Sequence, residues 1–190
     1  MRTTFNFANA LTLFRIASIP LIAALFFSSI DNARPLAATV FILAALTDWF
    51  DGWVAREYDL SSRFGAFLDP VADKLIVSVA LILIVQSDPS LLNAVIASII
   101  IGRELTISAL REWMSELGER HKVSVIGYAK FKTVLQMVGL SCMLFRKPIF
   151  DIDIYFIGSI CLLGSAVLTL WTMLVYLIKA WPIISKGDYL

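Results

Sequence analysis

Four aspartates in a strongly apolar chain carry the clearest chemical signal: Asp48, Asp51, Asp69 and Asp73. A carboxylate in such surroundings costs free energy unless a cation or a hydrogen-bond donor meets it. Four together also repel one another, so positive charge between them is needed to keep them all ionised. Oxygen ligands without a nearby histidine or cysteine favour Mg²⁺, Mn²⁺ or Ca²⁺ over Zn²⁺. Two such ions could clamp an oxyanion during phosphoryl transfer.

The spacing of these residues predicts two polar helix faces. Residues three and four apart share one face of a helix. One face would carry Asp48, Asp51, Gly52, Ala55 and Arg56, and a second would carry Gly65, Asp69 and Asp73. The eight residues 57–64 between them let the two helices run antiparallel, so that the faces can meet. The alternative is a set of water-exposed aspartates at helix ends, which the regular spacing and the small residues beside them disfavour.

The composition predicts an all-α integral membrane protein. Of the 190 residues, 59% are hydrophobic and 16% are charged, whereas a soluble domain averages about 45–50% apolar and about 25% charged residues. Six segments are long and apolar enough to span a bilayer. A short interfacial helix is expected before them, over residues 3–9, in a single domain covering residues 1–190. The predicted spans are 10–29, 35–56, 65–85, 91–113, 125–145 and 155–178.

The distribution of basic residues predicts the orientation. Cations in short loops of membrane proteins concentrate in the cytoplasm. One side of the predicted spans holds more of them, in its loops and at the termini: Arg2, Arg56, Arg63, Arg120, Lys122, Lys179 and Lys186. The other side holds Arg34, Arg146 and Lys147. We therefore expect a multi-pass protein of the cytoplasmic (inner) membrane, with both termini and the aspartates facing the cytoplasm. No basic tail or aromatic–basic pattern suggests a nucleic-acid partner.

The aspartate pattern as a whole resembles the signature of the CDP-alcohol phosphotransferase family. Every position matches in Asp48-x2-Asp51-Gly52-x2-Ala55-Arg56-x8-Gly65-x3-Asp69-x3-Asp73. The resemblance implies a six-helix membrane core, usually a homodimer. It also implies transfer of a phosphatidyl group from CDP-diacylglycerol to an alcohol, with release of CMP.

The same resemblance assigns roles to single residues. Asp48, Asp51, Asp69 and Asp73 would hold a divalent metal, Mg²⁺ or Mn²⁺, with two ions expected. Asp73 would also be the general base on the attacking hydroxyl, which requires an ionised carboxylate within hydrogen-bond reach. The remaining members of the two faces would line the CDP-lipid pocket: Gly52, Ala55, Arg56 and Gly65. Apart from the resemblance, Asn9, Thr12 and Arg15 form one stripe at the start of the first span. They could close the nucleotide pocket, or else only cap the helix and contact lipid headgroups.

A second set of basic residues bears on the acceptor alcohol. Arg103 and Arg111 share a helix face in the fourth span, and Lys130 begins the fifth. Together they could form an anion pocket, because arginine makes forked contacts with phosphate oxygens. Two alternatives stand beside this hypothesis. Arg103 could form an internal ion pair with Glu104, and Lys132 could extend toward lipid headgroups.

Several segments resemble the branch of the family whose acceptor is sn-glycerol 3-phosphate. They are Asn9-x-Leu11-Thr12-x-x-Arg15, Thr47–Gly52, Arg63–Lys74, Ala109–Trp113 and Lys130-x-Lys132-Thr133-x-x-Gln136-Met137. One departure is Tyr128-Ala129-Lys130, where the pattern has Gly-Lys. Other acceptors stay open, namely those of cardiolipin, phosphatidylinositol phosphate and phosphatidylserine synthesis. A divalent-cation transporter is the alternative from another class, although transporters place their acids near mid-membrane and spread them over repeats.

Overall fold

The fold is known from a computed structural model that describes residues 7–58, 63–118 and 128–185. Within these ranges, some side chains lie outside the description: those of residues 7–9, 48–58, 63–64, 66, 128–130 and 183–184. Of the predicted site residues, Asn9, Asp48, Asp51, Gly52, Ala55, Arg56 and Lys130 therefore lie outside the described side chains.

The described residues form six α-helices and no strand, which confirms the all-α class. The helices are α1 (Phe7–Phe27), α2 (Ala33–Tyr58), α3 (Arg63–Ser87), α4 (Leu91–Glu116), α5 (Tyr128–Phe145) and α6 (Ile154–Ile184). Each overlaps one predicted span, and α6 runs beyond the predicted end at residue 178. Residues 7–9, predicted as part of a separate interfacial helix, are the first residues of α1.

Within the described part of the chain, three helices are long and apolar enough to cross a membrane. These segments are Ala10–Phe27, Leu91–Glu116 and Ile154–Pro182. Shorter apolar stretches occupy Ala33–Thr47 in α2 and Phe131–Phe145 in α5. The count of six membrane spans stays a prediction.

Side-chain caps fix where two of the helices begin. Ser90 precedes α4 and accepts a hydrogen bond from the backbone N–H of Asn93, at 3.2 Å. Asp153 precedes α6 and accepts one from the N–H of Phe156, at 3.1 Å. Each cap satisfies a backbone donor that has no partner inside the helix.

Packing of the six helices places α1 beside both α2 and α3, α5 beside α2 and α6, and α4 beside α3 and α6. Helices α5 and α6 approach each other closely at two glycines. A Cβ atom on Gly139 would lie 2.9 Å from the backbone nitrogen of Leu162, and one on Gly158 would lie 2.8 Å from Cβ of Cys142. Small residues allow such close backbone packing between membrane helices. Large apolar side chains cover the outside, as expected for a surface in contact with lipid.

Polar contacts join three loops at one end of the bundle, which we call the loop end: residues 28–32, 88–90 and 146–153. The Tyr155 hydroxyl donates to Asp88 Oδ2 at 2.6 Å, and Lys147 Nζ donates to Asn32 Oδ1 at 2.5 Å. The opposite end, where α1 and α3 begin and α4 ends, carries Asp69 and Asp73 and is called the aspartate end.

Candidate active site

The first turns of α3 present Asp69 and Asp73 on one face, four residues apart. Asp69 Oδ1 accepts a hydrogen bond from Arg15 Nη1 of α1 at 3.0 Å. The Arg15 side chain is 1% exposed and that of Asp69 is 43% exposed, so the pair joins a buried cation to an accessible carboxylate. Thr12, one turn before Arg15, is also buried, and both lie on the part of α1 that runs beside α3.

This arrangement is compatible with a metal at Asp69. A carboxylate has two oxygens with about four lone-pair sites, so the contact of Arg15 with Oδ1 leaves Oδ2 for another partner. Among the described residues no group of three or more possible ligands is found. The two other predicted ligands, Asp48 and Asp51, lie outside the described side chains, so the predicted four-aspartate site stays a prediction.

Two adjoining clefts at the aspartate end bring Asp73 together with the predicted acceptor residues. They share Asp73, Lys74, Arg103, Glu104 and Arg111. One of the two clefts is also lined by Lys132, Thr133 and Gln136 from α5. Four basic and two acidic side chains line this region, which leaves a net positive charge beside the Asp73 carboxylate. Such a surface favours an anionic ligand.

Glu104 holds two of the cleft's cations in place. Its Oε1 accepts from Arg103 Nη1 at 2.9 Å and from Lys132 Nζ at 2.8 Å. The side chains of Arg103 and Lys132 are 8% and 5% exposed, so both charges are almost fully buried. Buried cations of this kind require a partner, and one carboxylate shared by two cations leaves one positive charge over. The internal Arg103–Glu104 pair, considered from sequence, is therefore present, and it lies in the wall of the cleft.

Helix α6 supports the arginines from behind. Arg103 Nη2 donates to Thr172 Oγ1 at 3.4 Å. Arg111 Nη2 donates to the hydroxyl of Tyr176 at 3.3 Å, with the guanidinium carbon 5.4 Å from the centre of the tyrosine ring. Tyr176 is fully buried, whereas Arg111 is exposed at the cleft. A stacked and hydrogen-bonded guanidinium keeps its remaining donors available for a ligand.

The position of Lys132 differs from the one considered from the sequence. This residue was expected to extend toward headgroups, but its side chain is buried and bonded to Glu104, so that alternative is wrong. Lys74 was not predicted either, and it lines both clefts while its ammonium group contacts the Ser108 hydroxyl. One feature of the sequence indicates the inward position of Lys132. Lys132 and Gln136 are four residues apart, so they share one helix face, and that face lines the cleft. Of the predicted acceptor set, Arg103 and Arg111 are brought together, and Lys130 lies outside the described side chains.

Comparison with known proteins accounts for this architecture. Residues 5–180 match the model of the family described as CDP-alcohol phosphatidyltransferase. The chain belongs to this family. Members are generally dependent on a divalent metal.

Curated relatives are similar over nearly the whole chain. A protein of Salmonella choleraesuis (strain SC-B67) is 45% identical over 186 residues, which cover 98% of each chain. A protein of Escherichia coli (strain K12) is 46% identical over 176 residues, covering 93% of this chain and 95% of the relative. A protein of Shigella flexneri serotype 5b (strain 8401) matches to the same extent. All three are named CDP-diacylglycerol–glycerol-3-phosphate 3-phosphatidyltransferase.

Proposed function

We propose that this protein transfers the phosphatidyl group of CDP-diacylglycerol to sn-glycerol 3-phosphate, giving phosphatidylglycerophosphate and CMP. The observation that carries the proposal is the cleft in which Asp73 lies beside Arg103, Arg111 and Lys132. A phosphorylated acceptor needs cations for its phosphate and a base for its hydroxyl in one place. The names of the relatives, which share nearly half of the sequence, support the same substrates.

In the proposed reaction, the phosphate of the acceptor lies against Arg111 and the buried pair Arg103 and Lys132. This contact directs the free primary hydroxyl toward Asp73. The Asp73 carboxylate takes the proton from that hydroxyl, and the oxygen attacks the phosphorus that carries diacylglycerol. The bond from this phosphorus to the CMP oxygen breaks, and CMP leaves with the electron pair. Positioning and charge stabilisation supply most of the rate.

The residues proposed to hold the metal are Asp48, Asp51, Asp69 and Asp73, with two ions, either Mg²⁺ or Mn²⁺. When bound, the metal would neutralise the diphosphate of the CDP-lipid and the leaving CMP. Gly52, Ala55, Arg56 and Gly65 are proposed to line the nucleotide pocket, closed by Asn9 and Thr12. Arg15, expected in the same stripe as Asn9 and Thr12, is proposed to support Asp69 from α1, in keeping with the contact between their side chains. Lys130 is kept as a further acceptor contact.

The proposed setting is the inner membrane, with the aspartate end and both termini in the cytoplasm and two copies forming a homodimer. The lipid substrate would enter from the inner leaflet, with its acyl chains remaining in lipid. The soluble acceptor would enter the cleft from the cytoplasm. Labelling of single cysteines placed near either terminus in intact and in permeabilised cells tests the orientation. With a reagent that does not cross the membrane, both cysteines should be labelled in permeabilised cells and should stay unlabelled in intact cells.

CMP release by the purified protein tests the proposed reaction. The assay contains CDP-diacylglycerol, Mg²⁺ and one acceptor at a time: glycerol 3-phosphate, glycerol, serine, inositol phosphate or phosphatidylglycerol. We expect CMP with glycerol 3-phosphate, and little with unphosphorylated glycerol. Faster release with serine or phosphatidylglycerol would contradict the assigned acceptor. Absence of CMP with every alcohol, together with metal flux into vesicles, would favour the transporter alternative.

A further inference from the structure

Three basic residues gather at the loop end, on the side of the bundle away from the candidate active site. Arg34 belongs to the first turn of α2, and Arg146 and Lys147 follow α5. Arg146 directly precedes Lys147 in the chain. Lys147 bonds Asn32, two residues before Arg34. The cluster of Arg34, Arg146 and Lys147, here called the loop-end cluster, therefore joins two loops that are distant in sequence.

No carboxylate forms an ion pair with the loop-end cluster within the part of the chain that the structure describes. Asp88 and Asp153 belong to the same loop regions, and their described contacts are with other groups. Asp88 accepts from the Tyr155 hydroxyl and from Asn93 Nδ2, at 2.6 and 3.0 Å. Asp153 caps α6. Arg146 donates to the backbone oxygen of Ser87 at 3.4 Å and lies over the Tyr155 ring, so its positive charge is not neutralised there.

Arg34 carries a charged donor that the described residues leave unsatisfied. Its guanidinium carbon lies 3.5 Å from the centre of the Phe26 ring. Its Nη1 atom is buried and has no hydrogen-bond partner among the described residues. Such a donor costs about 1–3 kcal/mol, and more when charged. The first turn of a helix is also the positive end of its dipole, which disfavours a cation and favours an anion.

An exposed apolar turn follows the cluster in the chain. It indicates that an anion bound by the cluster would belong to a lipid. Ile149 and Ile152 pair through their backbones, and the turn between them holds Phe150 and Asp151 at φ angles of 50° and 61°. Phe150 is 93% exposed, and both isoleucines are more than one-third exposed. Cations beside exposed large apolar side chains are typical of the membrane interface, where phosphates and acyl chains are neighbours.

We propose that the loop-end cluster binds the phosphate of an anionic lipid headgroup, in the leaflet opposite the candidate active site. Arg34 and Arg146 would contact the phosphate oxygens and Lys147 would add charge, while the Ile149–Ile152 turn lies among the upper acyl-chain carbons. This site is separate from the proposed catalysis and does not depend on it. A free phosphate would be attracted by the same cations, but it would gain nothing from Phe150.

Lipid binding to the purified full-length protein, followed by native mass spectrometry in detergent, tests this proposal. The probes are phosphatidylglycerol and phosphatidylcholine with the same acyl chains. The variant R146Q/K147Q removes two charges from the cluster. The control K179Q/K186Q removes two charges from the C-terminal region. We expect phosphatidylglycerol to bind at least roughly tenfold more weakly to the first variant, because each basic residue near a headgroup contributes about 1 kcal/mol. The control should bind like the unmodified protein.

Two further arms separate the possible sources of phosphate. Inorganic phosphate should raise the Tm much less than phosphatidylglycerol does, and Phe150→Ser should weaken lipid binding roughly threefold or more. Equal stabilisation by inorganic phosphate would overturn the assignment to a lipid. Unchanged phosphatidylglycerol affinity in both double variants would overturn the site itself. If R146Q/K147Q is not monodisperse on size exclusion, the single variants R146Q and R34Q serve in its place. Each should bind phosphatidylglycerol roughly fivefold more weakly, and unchanged affinity in both would overturn the site.

Discussion

Replacing Arg111 with glutamine should weaken binding of the phosphorylated acceptor while leaving the CDP-lipid unaffected. Arg111 is exposed at the cleft and has one described hydrogen bond, to Tyr176 at 3.3 Å, so the substitution should change the free energy of unfolding by less than about 1 kcal/mol. A hydrogen bond to a charged group is worth about 1.5–3 kcal/mol. The KM for glycerol 3-phosphate should therefore rise about 10- to 150-fold.

Steady-state CMP release, with each substrate varied in turn, measures this effect. Tyr176→Phe is the matched control, because it keeps the ring under Arg111 and removes only the hydroxyl. The hydrogen bond from Arg111 to the neutral Tyr176 hydroxyl is long, at 3.3 Å, so its loss should cost about 0.5–1.5 kcal/mol and raise the KM roughly two- to tenfold. Arg111→Lys should fall between the two, since it keeps the charge and loses the fork. Equal changes in the KM of both substrates would refute the assignment of Arg111 to the acceptor.

Three other outcomes are expected. Chelation by EDTA should abolish CMP release, and added Mg²⁺ or Mn²⁺ should restore it; activity that survives chelation contradicts the metal site. Glu104→Gln should lower the free energy of unfolding by about 1–3 kcal/mol, which is less than for a fully buried pair because Glu104 is 28% exposed. Thermal unfolding measures this change. Removing the charge of Lys132 in the same protein should recover part of the loss. Gly139→Ala should cost about 1–3 kcal/mol, because its Cβ would meet the backbone of α6. Gly102→Ala, with open space around it, should be neutral or stabilise by up to about 1 kcal/mol; equal effects at the two glycines would contradict the close α5–α6 packing.

The helices were predictable from the sequence because long apolar runs, bounded by polar and proline-containing segments, leave few alternatives. The ends of the helices were less predictable. The sixth span was predicted to end at residue 178, but α6 continues to Ile184 and includes Pro182. The regular spacing of Asp69 and Asp73 placed them correctly on one helix face. The stripe at the start of α1 placed this helix near the pocket, but the pairing of Arg15 with Asp69 could not be read from any pattern. The two residues are far apart in sequence and meet only through packing.

The acceptor side of the cleft shows the same division. The eight-residue spacing of Arg103 and Arg111 predicted a shared face, and they do line one cleft. The inward direction of Lys132 depends on how α5 is rotated against α4, which one helix alone does not determine. The contacts of Thr172 and Tyr176 could not be predicted from the sequence either. Apart from a few hydroxyls and Lys179, α6 is apolar on all sides, so no pattern marks the face that meets the arginines.

Turnover by the Asp73→Asn variant tests the central claim most directly, that this carboxylate activates the acceptor hydroxyl. Asparagine has nearly the same shape but cannot take the proton, so CMP release with saturating glycerol 3-phosphate should fall by at least about 100-fold. Binding of CDP-diacylglycerol to the same protein should remain measurable. Turnover close to that of the unmodified protein would contradict the role of Asp73 as the general base.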